Sequence, residues 1–284
     1  MAYPTVDAPY GLKAINLIGG QVFAGSTREV PIQYGDATSI FYGDFVKLTR
    51  GNATRAGITT SGTGLGFAGV FVGCSFTNPS TKQKQFQQFW PGGTLAGDAV
   101  AIICDDPDTV FRAAVVSGTT VIASGSYAMV GQNYSMVDGT GNVNTGNSTN
   151  ALLYSATLTT AAFPVRVVNV FQDSGVAISA TGSSAATTIT LTGAGLPSAI
   201  VAGTDVSYIA GGASPTGQIV RTGSFVTTAA AAGATSITIN VATASLGNTA
   251  TVIPASSTIV FTQFPEMLVK VNFAVHSYYT ATAV

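Results

Sequence analysis

Charged side chains are scarce in this chain. Asp, Glu, Lys and Arg together make up 8% of its 284 residues, against roughly 25% in ordinary globular domains. The net charge is −1, and the sequence lacks the basic stripe that nucleic-acid binding usually needs. A surface with so few charges is weakly protected against association. We therefore expect partner proteins, and no nucleic acid, to cover much of it.

The residue types on which most enzymes and metal sites depend are also scarce. His276 is the only histidine, and Glu29 and Glu266 are the only glutamates. A Ser-His-Asp triad needs an activated serine beside its histidine, a zinc site needs clustered Cys and His, and a glycosidase needs paired carboxylates. The sequence shows none of these patterns. It therefore predicts a protein that is not an enzyme and that holds no cofactor or metal.

Two short motifs still raise the question of a ligand. Residues 64–69 match G-x-G-x-x-G, but strand-type sequence follows them, whereas a dinucleotide fingerprint opens a helix. Asp105, Asp106 and Asp108 offer oxygen atoms of the kind that Ca²⁺ prefers, although their spacing is not that of an EF-hand loop. We interpret the first motif as a loop and the second as a turn capped by its Asp side chains.

The cysteines and the N-terminus indicate where the chain is made. Cys74 and Cys104 end two apolar runs, and we expect both to be buried and reduced. A disulfide would need their Cα atoms within about 7 Å, which depends on the fold. The N-terminus lacks the basic and apolar regions of a signal peptide, and no run is long enough to cross a membrane. We expect assembly in a cytoplasm and no membrane partner.

Short strand-type runs bounded by Gly, Pro, Asn or Asp fill the chain, most clearly between Leu65 and Phe111. This stretch holds the only tryptophan, Trp90, and several phenylalanines including Phe86, and we expect it to be the apolar centre of the fold. Residues 78–81 predict a hairpin turn, because Asn and Pro favour turn geometry. The predicted fold class is all-β: an antiparallel β-barrel or sandwich base domain with an extended N-terminal arm and an inserted second β-domain.

Changes of composition divide the chain into regions. Proline disfavours regular structure near the N-terminus. The composition shifts sharply after Asp173 and returns to normal after Phe264-Pro265. We expect strand 167–171 to pair with strand 269–275 across that break. The predicted regions are an extended arm at 1–20, a base domain at 21–176 plus 263–284, and an insertion at 177–262.

The insertion contains only two charged side chains, Asp205 and Arg221. Two of its passages, residues 186–192 and 234–240, are related, since both alternate Thr or Ser with Ile or Leu. Such alternation puts the apolar side chains on one face of a sheet. A second strand follows each passage, so we interpret the pair as an internal quasi-repeat of hairpin type.

Several passages resemble a family of small virion proteins of tailed bacteriophages, particularly those that infect cyanobacteria and other aquatic bacteria. The resemblance covers about residues 1–173 and 264–284 and leaves out 177–262. The passages that carry it are Pro9-Tyr10-Gly11, Asn16-Leu17-Ile18-Gly19-Gly20, Tyr42-Gly43-Asp44, Val46-Lys47-Leu48, Val70-Phe71-Val72-Gly73-Cys74, Phe89-Trp90-Pro91-Gly92-Gly93-Thr94, Asp105-Asp106-Pro107-Asp108-Thr109-Val110-Phe111, Val269-Lys270-Val271-Asn272 and His276-Ser277-Tyr278.

The resemblance implies a capsid decoration or cement protein. Such a protein sits on the outside of the phage head, contacts the major capsid protein and bridges capsomers. Two alternatives stay open: the major capsid protein itself, which needs a long spine helix, and a tail or receptor-binding module.

Apolar residues of the arm, scattered basic residues and the tryptophan are the predicted contacts with the capsid or a sister subunit. We expect a homo-oligomer, with a trimer as the first expectation and a dimer as the second. The candidate contact residues are Tyr3, Tyr10, Leu12, Ile15, Ile18, Arg28, Arg50, Arg55, Lys82, Lys84 and Trp90.

Overall fold

The fold is all-β, as predicted. The computed structural model describes residues 6, 8–18, 20–58, 66–118, 121–154, 163–185, 187–210, 219–240 and 253–279. Strands account for 49% of the structure and helical turns for 3%, whereas helix usually accounts for about a third. The helical turns of the described residues are two short 3-10 turns, Tyr127–Met129 and Gln172–Ser174.

The strands are short and are joined by turns. In chain order they are β1 (Lys13–Leu17), β2 (Arg28–Pro31), β3 (Phe45–Thr49), β4 (Asn52–Arg55), β5 (Phe67–Thr77), β6 (Lys84–Gln87), β7 (Val100–Cys104), β8 (Thr109–Val116), β9 (Asn133–Tyr134), β10 (Met136–Val137), β11 (Ala151–Leu153), β12 (Val165–Val170), β13 (Val176–Ala185), β14 (Thr188–Leu191), β15 (Asp205–Ile209), β16 (Ile219–Phe225), β17 (Ser236–Thr238), β18 (Ser257–Gln263) and β19 (Glu266–Val271).

The chain divides into two compact units. The small unit contains Ile122–Val130 and Asn169–Met267, and the large unit contains Asp7–Val121, Gly131–Val168 and Leu268–Val284. The small unit thus includes the insertion predicted from composition. It also takes in a few residues on either side of that insertion, Val6 and the earlier segment Ile122–Val130.

A curled sheet with the strand order β2-β7-β5-β3-β4 forms one part of the large unit, and β6 is paired to β5 outside that order. An isolated parallel bridge between Ile32 and Ala53 joins the two ends of the order, so the sheet is nearly closed. Its interior is rich in aromatic side chains, because Phe71, Phe76 and Trp90 are all buried there. Closure removes the unpaired edges that an open sheet would expose.

The hairpin predicted at residues 78–81 is confirmed. β5 and β6 pair antiparallel, from Cys74 opposite Gln87 to Thr77 opposite Lys84. The side-chain oxygen of Asn78 accepts the backbone N–H groups of Ser80 and Thr81, which is the turn chemistry expected of asparagine.

A seven-stranded sheet has the order β10-β11-β8-β19-β12-β9, with β1 paired to β8 outside that order. The adjacency of β12 and β19 confirms the predicted pairing of strands from the two sides of the insertion. β1 pairs antiparallel with β8, with Lys13 opposite Arg112 and a bulge after Ala14. The part of the predicted arm from Lys13 to Leu17 therefore forms a strand that pairs with β8 of the same chain.

The small unit is built on a six-stranded sheet with the order β16-β15-β18-β13-β14-β17. Val226 and Ile239, which directly follow the two end strands, form an isolated bridge, so this sheet also comes close to closing. Its core is mainly aliphatic, with Phe261 and Tyr208 as aromatic members.

The two related passages of the insertion pair with each other. β14 and β17 are antiparallel, with Ile189 opposite Ile237, and the strands that follow them, β15 and β18, are antiparallel with Val206 opposite Phe261. Read around the nearly closed sheet, the strand order stays the same when the two halves, β13–β15 and β16–β18, are exchanged. The quasi-repeat is therefore a twofold arrangement of strands.

Both cysteines are buried and free, as predicted. The Cys104 thiol lies 3.4 Å from the Thr109 hydroxyl, and burial raises the pKa of Cys74 to about 12. Neither thiol is therefore poised to ionise at neutral pH.

Candidate interaction surface

Two passages that carry the resemblance meet in the large unit. The Leu12 N–H donates to the Gly43 carbonyl at 3.1 Å, and the Gly11 N–H donates to the Asn150 carbonyl at 3.1 Å. Gly43 has a φ of 88°, and a Cβ atom there would lie 2.6 Å from the Leu12 nitrogen. Only glycine fits this contact, so the N-terminal segment can approach the chain that leads into β3.

Asp44, next to this contact, is fully buried and accepts four hydrogen bonds. One carboxylate oxygen accepts from the Phe41 N–H at 2.9 Å and from Arg55 Nε at 3.0 Å. The other accepts from the Ser148 hydroxyl at 2.6 Å and from Asn150 Nδ2 at 3.2 Å. Burial raises the pKa of Asp44, and Arg55 and Ser148 partly offset that effect. The carboxylate thus joins segments far apart in sequence.

Arg55, a predicted interface residue, belongs to this internal network. Besides Asp44 its guanidinium contacts the Asp138 carboxylate and the Gly139 carbonyl. Its side chain is 17% exposed. Arg50, in contrast, lies at the exposed tip of the β3–β4 turn with a φ of 51°.

A second polar network joins two other passages of the resemblance. Asp105 contacts Arg28 Nε at 2.7 Å and accepts the Tyr278 hydroxyl at 2.5 Å, and Lys270 Nζ lies 2.7 Å from Asp108. His276 is buried, which lowers the pKa of its imidazole. These contacts hold the C-terminal passage against the turn between β7 and β8. Arg28, a predicted interface residue, is half-exposed but already paired.

Trp90 lies in the core of the curled sheet. It is fully buried, and its ring packs edge-on against Phe76 with centroids 5.2 Å apart. Its backbone N–H and carbonyl both bond to Ile40, at 2.7 and 3.2 Å. The indole N–H has no hydrogen-bond partner among the described residues. The tryptophan is thus a packing residue of the large unit.

The predicted contacts of the N-terminal segment differ in exposure. Leu12 is buried, Ile15 is 37% exposed and Ile18 is 48% exposed. Tyr10 lies between two cations, with Lys13 Nζ at 4.5 Å and the Arg112 guanidinium at 5.6 Å from its ring. Tyr3 lies outside the described residues. The outward side chains on this segment are therefore the two isoleucines.

Two exposed lysines and the most exposed large aromatic side chain of the described residues occur together on and beside β6. Lys82, Lys84 and Phe86 are all exposed, and Phe86 has 78% of its surface open. Phe86 was expected in the apolar centre, and that expectation is wrong. The period of two was the signal that could have shown it, since Phe86 must share a face with Lys84.

Asp98 supports this exposed strand from the neighbouring segment. Its carboxylate lies 3.0 Å from Lys84 Nζ and also accepts the N–H and the hydroxyl of Thr77. The three donors lower the pKa of Asp98. Lys84 is therefore paired with one carboxylate while its side chain stays 44% exposed.

The two charges of the insertion converge on one tyrosine of the small unit. The Arg221 guanidinium lies 4.1 Å from the centre of the Tyr127 ring, and the Tyr127 backbone N–H donates to the Asp205 carboxylate. Burial raises the pKa of Asp205 to about 6, against the lowering effects of that N–H and of Arg221. Sequence reasoning identified both residues as unusual but gave them no partner.

The described residues contain no group of three or more His, Cys, Asp or Glu side chains placed to hold a metal ion. Within the same residues, no helix is long and apolar enough to span a membrane. The fold and its surface define a class: an all-β protein with polar networks inside and sparsely charged, partly apolar surfaces outside. Comparison with protein-family models, with curated proteins and with solved structures finds no match for this chain.

Proposed function

We propose that this chain is a non-enzymatic structural protein of a tailed-bacteriophage virion, specifically a capsid decoration or cement protein. It binds the outer surface of the head, contacts the major capsid protein and bridges neighbouring capsomers. It is assembled in the host cytoplasm and resides on the capsid exterior.

The observation that carries the proposal is the way in which the resembling passages come together. Gly11 of one passage lies so close to Gly43 of another that an added Cβ would be 3.0 Å from the Gly43 Cα atom. The Asp105 carboxylate at the β7–β8 turn accepts the Tyr278 hydroxyl. The insertion, which lies outside the resemblance, falls in the small unit. Passages that resemble one family are expected to lie in one structural unit, and the quoted passages all fall within the large unit, which supports the proposal.

The surface of the large unit also supports a role in assembly. Large apolar side chains are exposed on it although the chain has few charges to offset them. Where such side chains form a contiguous patch, they mark protein contacts. They include Ile15, Ile18, Val22, Tyr34, Phe86 and Leu95.

The fold favours decoration over the shell itself. A major capsid protein is built on a long spine helix, and the described residues contain only short 3-10 turns. A tail or receptor-binding protein is the remaining alternative, and copy number separates it from a decoration protein. We propose a homo-oligomer on the capsid, a trimer first and a dimer second, because closed symmetry is the rule for such assemblies.

The test is quantitative mass spectrometry of purified virions, combined with addition of the purified protein to heads that lack it. The expected result is a copy number comparable to that of the capsomers and saturable binding to the bare heads. A few copies per virion would indicate a tail protein, and no binding to heads would contradict the proposal.

A further inference from the structure

The unpaired edge of β6 is the clearest interaction surface of the large unit. The curled sheet joins its two end strands through the bridge between Ile32 and Ala53, but β6 lies outside the closed order and pairs with β5 on one side. An unpaired edge of this kind is a template for a further strand. Among the described residues, no strand pairs with the outer edge of β6.

The pairing pattern shows which backbone groups point outward. The Asn78 N–H donates to the Gln83 carbonyl, so Gln83 faces β5. In an antiparallel pair, the backbone groups of successive residues point alternately toward and away from the partner strand. The backbone N–H and carbonyl groups of Gln85 and Gln87 therefore also point toward β5. The N–H and carbonyl groups of Lys84 and Phe86 therefore point away from the sheet.

The side chains on this edge specify the chemistry of an incoming strand. The edge carries two lysines: Lys84 pairs with Asp98 at 3.0 Å, and no ion pair involves Lys82 among the described residues. One positive charge is therefore left on this edge. Phe86 shares a face with Lys84 and is 78% exposed. A second copy of β6 would bring lysines together, and lysine on an edge strand opposes such self-pairing. An acidic strand with an apolar residue opposite Phe86 fits instead.

We propose that the β6 edge binds an extended acidic segment of a partner protein by strand addition. The partner segment donates and accepts backbone hydrogen bonds at Lys84 and Phe86, places carboxylates near Lys82 and Lys84, and covers the Phe86 ring. The edge accepts such a segment whether or not its owner is a capsid protein, so this binding does not depend on the proposed function.

The test uses the full chain labelled with ¹⁵N and a short synthetic peptide of alternating Glu and Val, with a Lys/Val peptide as the control of opposite charge. NMR titration should show saturable shifts centred on the amides of Lys84 and Phe86 with the Glu/Val peptide, weakened by salt. Equal binding of both peptides, shifts centred elsewhere, or no binding at millimolar peptide would overturn the proposal.

Variants separate the edge from the rest of the surface. Phe86→Ala should weaken peptide binding about tenfold, as the loss of a central aromatic anchor does, whereas Tyr34→Ala, at a second exposed aromatic residue, should leave it unchanged. Lys82→Glu combined with Lys84→Gln should shift the preference to the Lys/Val peptide. Circular dichroism shows that each variant is folded. A folded Phe86→Ala protein with undiminished binding would contradict the assigned anchor.

Discussion

Each of the two units buries one aspartate, Asp44 in the large unit and Asp205 in the small unit. The two carboxylates differ in the number of hydrogen bonds that they accept. Asp44 in the large unit accepts four hydrogen bonds, including one from Arg55. Asp205 in the small unit has the Tyr127 N–H and a more distant Arg221, and its pKa rises to about 6. Burial raises the pKa in both cases, but only Asp44 has enough donors to serve as a structural joint.

The cores differ in the same direction. Trp90 and Phe76 pack edge-on inside the curled sheet of the large unit, whereas isoleucines fill the corresponding space in the small unit. Both sheets nonetheless end in a single joining bridge. Both sheets therefore come close to closing although their core side chains differ. We expect the core side chains to set the free energy of unfolding of each unit.

The largest expected effect is on the aromatic core. Trp90→Ala should lower the free energy of unfolding by roughly 3–5 kcal/mol, because it removes a fully buried large side chain. Trp90→Phe should cost much less, since the indole N–H makes no hydrogen bond among the described residues. Urea unfolding followed by circular dichroism measures both.

The matched variant in the small unit is Phe261→Leu, which should cost about 1 kcal/mol because its neighbours are aliphatic and can repack. An unchanged unfolding midpoint for Trp90→Ala would show that the aromatic core does not stabilise the large unit.

The second effect concerns Asp44. Asp44→Asn should destabilise the protein by about 3 kcal/mol. Each carboxylate oxygen of Asp44 accepts hydrogen bonds from two donors. The asparagine NH₂ group would replace one of these oxygens and, being a donor itself, would face two donors. Asp36→Asn is the control, since Asp36 is exposed and accepts the Thr38 N–H. Equal unfolding free energies for the two variants would mean that the buried network contributes nothing.

The third effect has the opposite sign and depends on pH. The folded pKa of Asp205 is about 6, above the value of about 3.9 in an unfolded chain. The folded state therefore binds more protons between these values, and stability from this group is full below about pH 4 and is lost as pH rises through about 6.

Asp205→Asn should remove this dependence and stabilise the small unit by about 3 kcal/mol at neutral pH. The measurement is the difference between wild-type and variant unfolding free energies across pH, which cancels the other carboxylates. A difference that stays constant from acid to neutral pH would contradict the raised pKa of Asp205 in the folded state.

Much of the fold could be predicted from local chemistry. The turn at Asn78 and the alternation in β14 and β17 act within a few residues, so the sequence reveals them directly. The pairing of β12 with β19 followed from the change of composition on both sides of the insertion.

The networks could not be predicted in the same way. Ser148 and Asn150 are far from Asp44 in sequence, and no periodic pattern connects them. The same holds for the Ile32–Ala53 bridge, which is a single contact between the two ends of a curled sheet. At the surface, composition identified Lys82 and Lys84, but only the register of β6 showed that Phe86 accompanies them.

The twofold strand arrangement of the small unit has a consequence for how the chain folds. β13 pairs with β18, from Val176 opposite Gln263 to Gly182 opposite Ser257, so the first strand of the six-stranded sheet bonds to its last. Neither half can complete its pairing alone, because β14 needs β17 and β15 needs β18. Such distant contacts slow folding. On a ribosome this unit must wait for Gln263 to emerge before its sheet can form.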